Sequence, residues 1–229
     1  MKTLCALFLS GLITLVQSLP LDAADYDALL TTPKMDPCHL FTADADTVVL
    51  YLDMGAEGEV QLALPRTYLE DRADQQSGLR HGSLLLRMML ESFLPVSRAQ
   101  ALRLSATRQD RTLQGAFVTM LISDLPNLEA RMGELTRTPM DPAPNEVDLI
   151  PLSTTDPARR MAFAALRPDG TLRAVIECAA SETAQRQACT HQLRSSGVDV
   201  VLDYKADLLP GWKDIQSRAE RFLKCAADG

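Results

Sequence analysis

Residues 189–225, CTHQLRSSGVDVVLDYKADLLPGWKDIQSRAERFLKC, hold the pattern on which the fold turns. Two apolar-rich runs flank Ser195-Ser196-Gly197, small turn-forming residues, and read as a β-hairpin. In the second run Val198, Val200, Leu202 and Tyr204 share one side and Asp199, Val201, Asp203 and Lys205 the other, the period of a strand. The period then lengthens. Trp212, Ile215, Ala219, Phe222, Leu223 and Ala226 recur at helical spacing and mark an amphipathic helix that must bury its stripe. Asp207 is read as its N-cap and Pro210 as a first-turn residue. Cys225 lies on the flank of the stripe, where a side chain can reach sideways without displacing core contacts.

Moving upstream, RMAFAALRPDGTLRAVIEC (160–178) is a second hairpin signal around Pro168-Asp169-Gly170. Four antiparallel strands closed by a helix imply an α+β fold, a mainly antiparallel sheet with the C-terminal helix packed on one face. The first half has a similar order of strands and then helix, without a residue-level repeat. TVVLYLDMG (47–55) and EVQLALP (59–65) are strands. TLQGAFVTMLISD (112–124) is another, running into a short helix with Asp124 as its cap and Leu125, Leu128, Met132 and Leu135 on one face. SLLLRMMLESFLP (83–95) suits either a helix or a buried strand, and we read it as strand. These readings divide the chain into residues 1–18, a signal peptide; 19–46, an extended arm; 47–136, a strand-rich half with a short helix; 137–146, a Pro-rich linker or surface loop; and 147–229, the meander and closing helix.

The leader reading rests on Lys2, the uncharged apolar run from Leu4 to Val16 and the small residues before Leu19. Cleavage is expected after Ser18, with Ala23 the alternative site. The run is too short to span a bilayer, which takes about 20 apolar residues, so no stable membrane insertion is expected after cleavage. Processing removes Cys5 and leaves Cys38, Cys178, Cys189 and Cys225. An even count in an exported chain suits disulfides. Of three possible connectivities we prefer Cys178–Cys189 with Cys38–Cys225: the first pair brackets a short segment between two strands, and the second ties the arm to the last helix. A metal alternative rests on Cys189 and His191, two residues apart on one strand face, but the CxxC spacing of a structural zinc site is absent.

The chain carries 23 Lys plus Arg against 30 Asp plus Glu, a formal charge of −7, and loss of Lys2 makes the balance more negative still. Such a charge argues against broad phosphate-backbone binding, and no nucleic-acid partner is expected. It suits a soluble protein with a basic partner. The hydrolase elbow GxSxG, the phosphate loops GxxxxGK[ST] and GxGxxG, and HExxH are all missing. Of the three histidines, His39, His81 and His191, only His81, in the polar loop LRHGS, invites a role as base, and no partner for it can be named. Carboxylate pairs such as Glu57 with Glu59, or Glu70 with Asp71, are read as solvated. No catalytic, cofactor-binding or metal-binding residue is assigned, and no cofactor is expected.

Two stretches carry a resemblance. EVQLALPRTYLEDR, then Gly78 and Gly82, then SLLLRMMLESFLP, is similar to a strand–Pro-x-x-Tyr-Leu–loop–strand arrangement in a group of exported, uncharacterised proteobacterial proteins. Cys189, His191 and VDVVLDYKADLLPGWKDI, with Leu209, Trp212 and Ile215 opening the helix, resemble the ending of that group, some members of which look like immunity or accessory proteins for secreted toxins. The resemblance implies an envelope location and a non-enzymatic role, and supplies no active-site residue. The expected function is therefore that of an exported, periplasmic (alternatively secreted) binding or inhibitor-type protein, an immunity protein capping a toxin. The alternatives are an envelope structural or assembly factor and an enzyme of unrecognised class.

Overall fold

The computed structural model describes residues 33–106, 117–125, 127–136, 144–154, 160–179 and 188–229. The leader at 1–18, the first part of the arm and the Pro-rich stretch up to residue 143 lie outside the described residues. The architecture is α+β. Strands β4 (Ser83–Met89), β5 (Phe117–Ser123), β6 (Ile150–Leu152), β7 (Arg160–Leu166), β8 (Leu172–Ala179), β9 (Ala188–Ser195) and β10 (Val198–Lys205) form a seven-stranded sheet in the order β4-β5-β10-β9-β8-β7-β6. Each of its neighbouring pairs is antiparallel. A small sheet holds β1 (Thr47–Asp53) between β2 (Glu59–Pro65), antiparallel, and β3 (Leu79–His81), parallel.

Local chemistry fixes the hairpins. Between β9 and β10, Ser196 and Gly197 have φ of 51° and 80°, the doubly left-handed two-residue turn whose twist matches that of its strands. Between β7 and β8 the Asp169 carboxylate accepts from the Thr171 amide at 3.0 Å and its hydroxyl at 2.7 Å, while Gly170 takes φ 82°. The alternation read in β10 is observed: Val198, Val200, Leu202 and Tyr204 are buried together in the main core. Leu84, Leu86 and Met88 of β4, with Val118, Met120 and Ile122 of β5, continue that layer from the first half of the chain.

Two helices cover the sheet from opposite sides. Helix α2 (Leu128–Leu135) lays Leu128, Met132 and Leu135 on Val175, Leu172 and the alanines of β7. Helix α3 (Trp212–Asp228) packs its apolar stripe into the main core, over β9 and against β2 of the small sheet. All six stripe residues are buried. Burying each large apolar side chain contributes about 1.5–3 kcal/mol, so the stripe anchors the layer. Trp212 also donates its indole N–H to the Val147 carbonyl at 2.8 Å.

A second, polar stripe on α3 holds the arm. Asp214, Arg218, Arg221 and Cys225 follow one another four, three and four residues apart, along one helical face. Lys34 bonds Asp214 at 2.8 Å, Arg218 donates to the Met35 carbonyl at 2.9 Å, Arg221 pairs with Asp36 at 2.7 Å, and Cys225 is bonded to Cys38 with Cα atoms 5.9 Å apart. Cys225 is thus the last tie of a strap. Its counterpart, Cys178–Cys189, joins directly opposed residues of β8 and β9.

The structure corrects several local readings. Residues 83–95 are strand only as far as Met89. The chain then turns through Phe93, at φ 56°, and comes back beside β4, with Met89 N–H on the Leu94 carbonyl and Val96 N–H on the Arg87 carbonyl, both at 2.8 Å. A helix not anticipated from the sequence, α1 (Arg98–Ala106), follows. Asn127, not Asp124, caps α2 by accepting from Ala130 N–H at 2.8 Å. Asp207 caps nothing: it lies inside a 3-10 segment, Ala206–Gly211, that also holds Pro210 and leads into α3 without a side-chain cap.

Candidate functional site

The sequence leaves His81, His191 and four carboxylates to be placed. His81 ends β3 with Nδ1 3.9 Å from Asp74 Oδ1, and its Nε2 is shielded from solvent with no hydrogen-bond partner among the described residues. A base needs an accessible lone pair within reach of the proton it takes, and this nitrogen offers none. The carboxylates are engaged in structure. Glu57 pairs with Arg194 and Glu59 with Arg80 at 2.5 Å. Glu70 accepts from Arg87 at 3.0 Å and from the Arg98 amide at 2.8 Å. Asp71 caps a turn through Ala73 N–H at 2.8 Å.

His191 is enclosed completely between β9 and α3. Its hydrogen bonds form a directed chain. Gln216 gives its amide N–H to Glu220 at 2.6 Å, which leaves Gln216 Oε1 as the acceptor facing His191 Nε2 at 3.2 Å. Nε2 therefore carries the proton, and Nδ1 accepts from the Tyr204 hydroxyl at 3.2 Å. Burial lowers the imidazole pKa to about 4, so the ring is neutral at physiological pH. Trp212 lies edge-on to it, with centroids 6.1 Å apart. Cys189, which the metal reading pairs with His191, has its sulfur in the disulfide. Among the described residues no group of three or more His, Cys, Asp or Glu side chains is arranged to hold a metal ion. Gln216 and Arg218, both buried, were missed by the sequence reading because they interrupt the polar side of an amphipathic pattern with nothing to distinguish them from solvated residues.

Two concavities are lined by residues of the first half of the chain. One, of about 420 Å3, lies between the arm and the end of β2, around His39, Leu40, Thr42 and Pro65. Its cation is already used: Arg66 bonds Asp46 at 2.6 and 3.0 Å. The other is a groove of about 740 Å3 along β4, the edge of the large sheet. Leu69, Glu70, Asp71, Arg72 and Asp74 line it together with Arg98 at the start of α1, and Ser83, Leu84, Leu85 and Arg87 of β4 complete it. Leu85 is 47% exposed within it, one of few large apolar side chains in the described residues that reach solvent. An apolar row runs inward from Leu85 through its cross-strand partners Leu121 and Val201. The groove thus sets an exposed apolar side chain, Leu85, among charged residues of both signs. Among the described residues no helix is long and apolar enough to cross a membrane.

No family model matches the chain, and no curated protein matches it. Among solved structures it resembles Smlt3025, an immunity protein of the Stenotrophomonas maltophilia type IV secretion system, at 16% identity and a TM-score of 0.51, over 79% of this chain and 94% of that one. It also resembles the Neisseria meningitidis iron-regulated outer membrane lipoprotein FrpD at 11% identity and a TM-score of 0.49, over 86% and 96% of the two chains. At these identities the likeness is one of fold.

Proposed function

We propose that the chain is an exported, extracytoplasmic binding protein of inhibitor type, an immunity protein that caps a secreted toxin. The observation that carries this reading is the fold shared with Smlt3025 across 94% of that immunity protein. The two disulfides support an oxidising compartment, and with the leader-like start they favour the periplasm, secretion being the alternative. An inhibitor of this kind works by complementarity of surface alone: it needs a rigid scaffold, an exposed face and a charge that suits its partner. The acidic balance, −7 for the whole chain, suits a basic toxin.

The test is affinity capture with immobilised mature protein from envelope and secreted fractions, followed by mass spectrometry and co-expression. The expected result is a basic protein, held stoichiometrically, whose toxicity to the host cell is relieved when this chain is co-expressed in the same compartment. Retention of a small molecule and no protein, or a captured protein without toxicity, counts against the reading.

A further inference from the structure

We infer that the free edge of β4 receives an extended strand of the partner protein, which lies in the groove and pairs with Ser83 and Leu85 by backbone hydrogen bonds. This rests on the reading that the partner is a protein; what it adds is the surface and the form in which the partner is held.

Along an antiparallel strand, successive residues turn their N–H and C=O to alternate sides. In β4 the outward side is identified by bonds already made: Arg87 C=O accepts from Val96 and Met89 N–H donates to Leu94, both at 2.8 Å. Odd-numbered residues therefore face away from β5. Leu85 and Ser83 have the same parity, and among the described residues nothing bonds to their outward N–H and C=O. The edge is thus paired over its last residues by the returning 94–96 segment and open over its first. Both residues are exposed.

The surroundings select the occupant. A second copy would have to lay its own β4 alongside, but in each copy the 94–96 segment already occupies the edge at Arg87 and Met89, so two copies could pair only over the short stretch from Ser83 to Leu85. A single extended segment carries no such returning segment of its own, and about 740 Å3 is room for a few residues of it. A side chain opposite Leu85 would extend the row Leu85–Leu121–Val201 by one apolar position. Edge strands left open in this way are templates for pairing with another chain, and strand addition is a recurring mode of peptide recognition.

The experiment pans a display library of random short linear peptides against immobilised mature protein. Three variants accompany the wild type. Leu85→Pro removes an outward N–H together with the apolar side chain and breaks no ladder bond, because the residue makes none to β5. Leu85→Lys keeps the N–H and places a charge on the edge, and carries the test if the proline variant does not fold. Met161→Lys alters a different exposed apolar side chain, on β7. Peptides of alternating apolar and polar residues are expected on the wild type and on Met161→Lys, with affinity lowered on the order of tenfold or more in both Leu85 variants. Hydrogen exchange at the Leu85 amide is expected to slow about tenfold in the bound state. Equal binding by all variants, no enriched peptide, protection confined to another element, or a wild-type dimer that Leu85→Lys converts to monomer each overturns the proposal. A toxin captured equally by all variants would remove this site and leave the proposed function standing. Peptide capture at Leu85 with no protein partner in the envelope would do the reverse.

Discussion

At the scale of the residue, His191 is the most informative side chain. Burial lowers its pKa from 6.5 to about 4, against a smaller opposing pull from the Gln216 hydrogen bond. A histidine with a depressed folded pKa binds fewer protons in the native state than in the unfolded chain. Its neutral form supports the fold fully above the unfolded value of 6.5, and that support is lost as the pH falls from there toward 4. The loss between pH 7 and pH 4 is about 3 kcal/mol. Asp199 and Asp203, whose carboxyls burial pushes up, act in the opposite sense, so the difference between wild type and His191→Gln isolates the ring. Urea unfolding across this range should show stability changing more unfavourably with acid in the wild type than in the variant; parallel slopes would mean that the imidazole is not the titrating group. Trp212 gives a second prediction. Trp212→Ala should cost ~3–5 kcal/mol, read as a lowered urea midpoint, because the ring is only 2% exposed and its N–H serves Val147. The place of Trp212 was legible in the helical period. That of His191 was not, since a histidine on a strand reads alike whether it ends in water or, as here, under a helix whose Gln216 and Glu220 complete its hydrogen bonds.

At the scale of the element, α3 has two jobs on adjacent faces, and only one was written in apolar residues. The stripe from Trp212 to Ala226 was readable by period. The polar stripe Asp214, Arg218, Arg221 and Cys225 was not, because charged residues at helical spacing look the same whether they meet solvent or an arm. Its partners, Lys34 to Cys38, are some 180 positions away in a segment without regular structure. Exposed ion pairs of this kind contribute little each; the disulfide makes the strap permanent. The chain-entropy argument assigns about 5 kcal/mol to the Cys38–Cys225 closure and about 3 to Cys178–Cys189. Replacing Cys38 and Cys225 together by Ala should therefore lower the urea midpoint more than replacing Cys178 and Cys189, and should expose the arm to protease before the sheet unfolds. Equal losses from the two pairs would show that the long closure is not constraining the unfolded chain. The same limit on local information explains β4. Leu and Met favour helix and density of apolar residues favours a buried strand, so 83–95 was undecided until its two faces were given, by β5 on one edge and the return through Phe93 on the other.

At the scale of the whole molecule, the fold class followed from hairpins and a closing helix, but the order of strands did not. That β5 pairs with β10, bringing both halves of the chain into one sheet, depends on contacts across roughly eighty residues, and period-two alternation is silent about which strand lies beside which. The groove along β4 is a product of that order: only because β5 turns its other side to β10 is β4 left at the rim. Net charge, by contrast, needs no topology. A formal charge of −7 acts beyond contact distance, so its effect belongs to encounter and not to the bound state. Screening lengths fall from about 30 Å at 0.01 M salt to about 8 Å at 0.15 M, and steered association is then slowed on the order of tenfold or more. Dissociation, governed by contacts already made in the groove, should change little. Measured against the captured partner by surface-binding kinetics over this salt range, the association rate should carry nearly all of the change in affinity. A flat association rate with a salt-dependent dissociation rate would place the charges inside the interface, and would assign Asp71, Asp74, Arg72 and Arg98 of the groove walls a direct part in holding the strand.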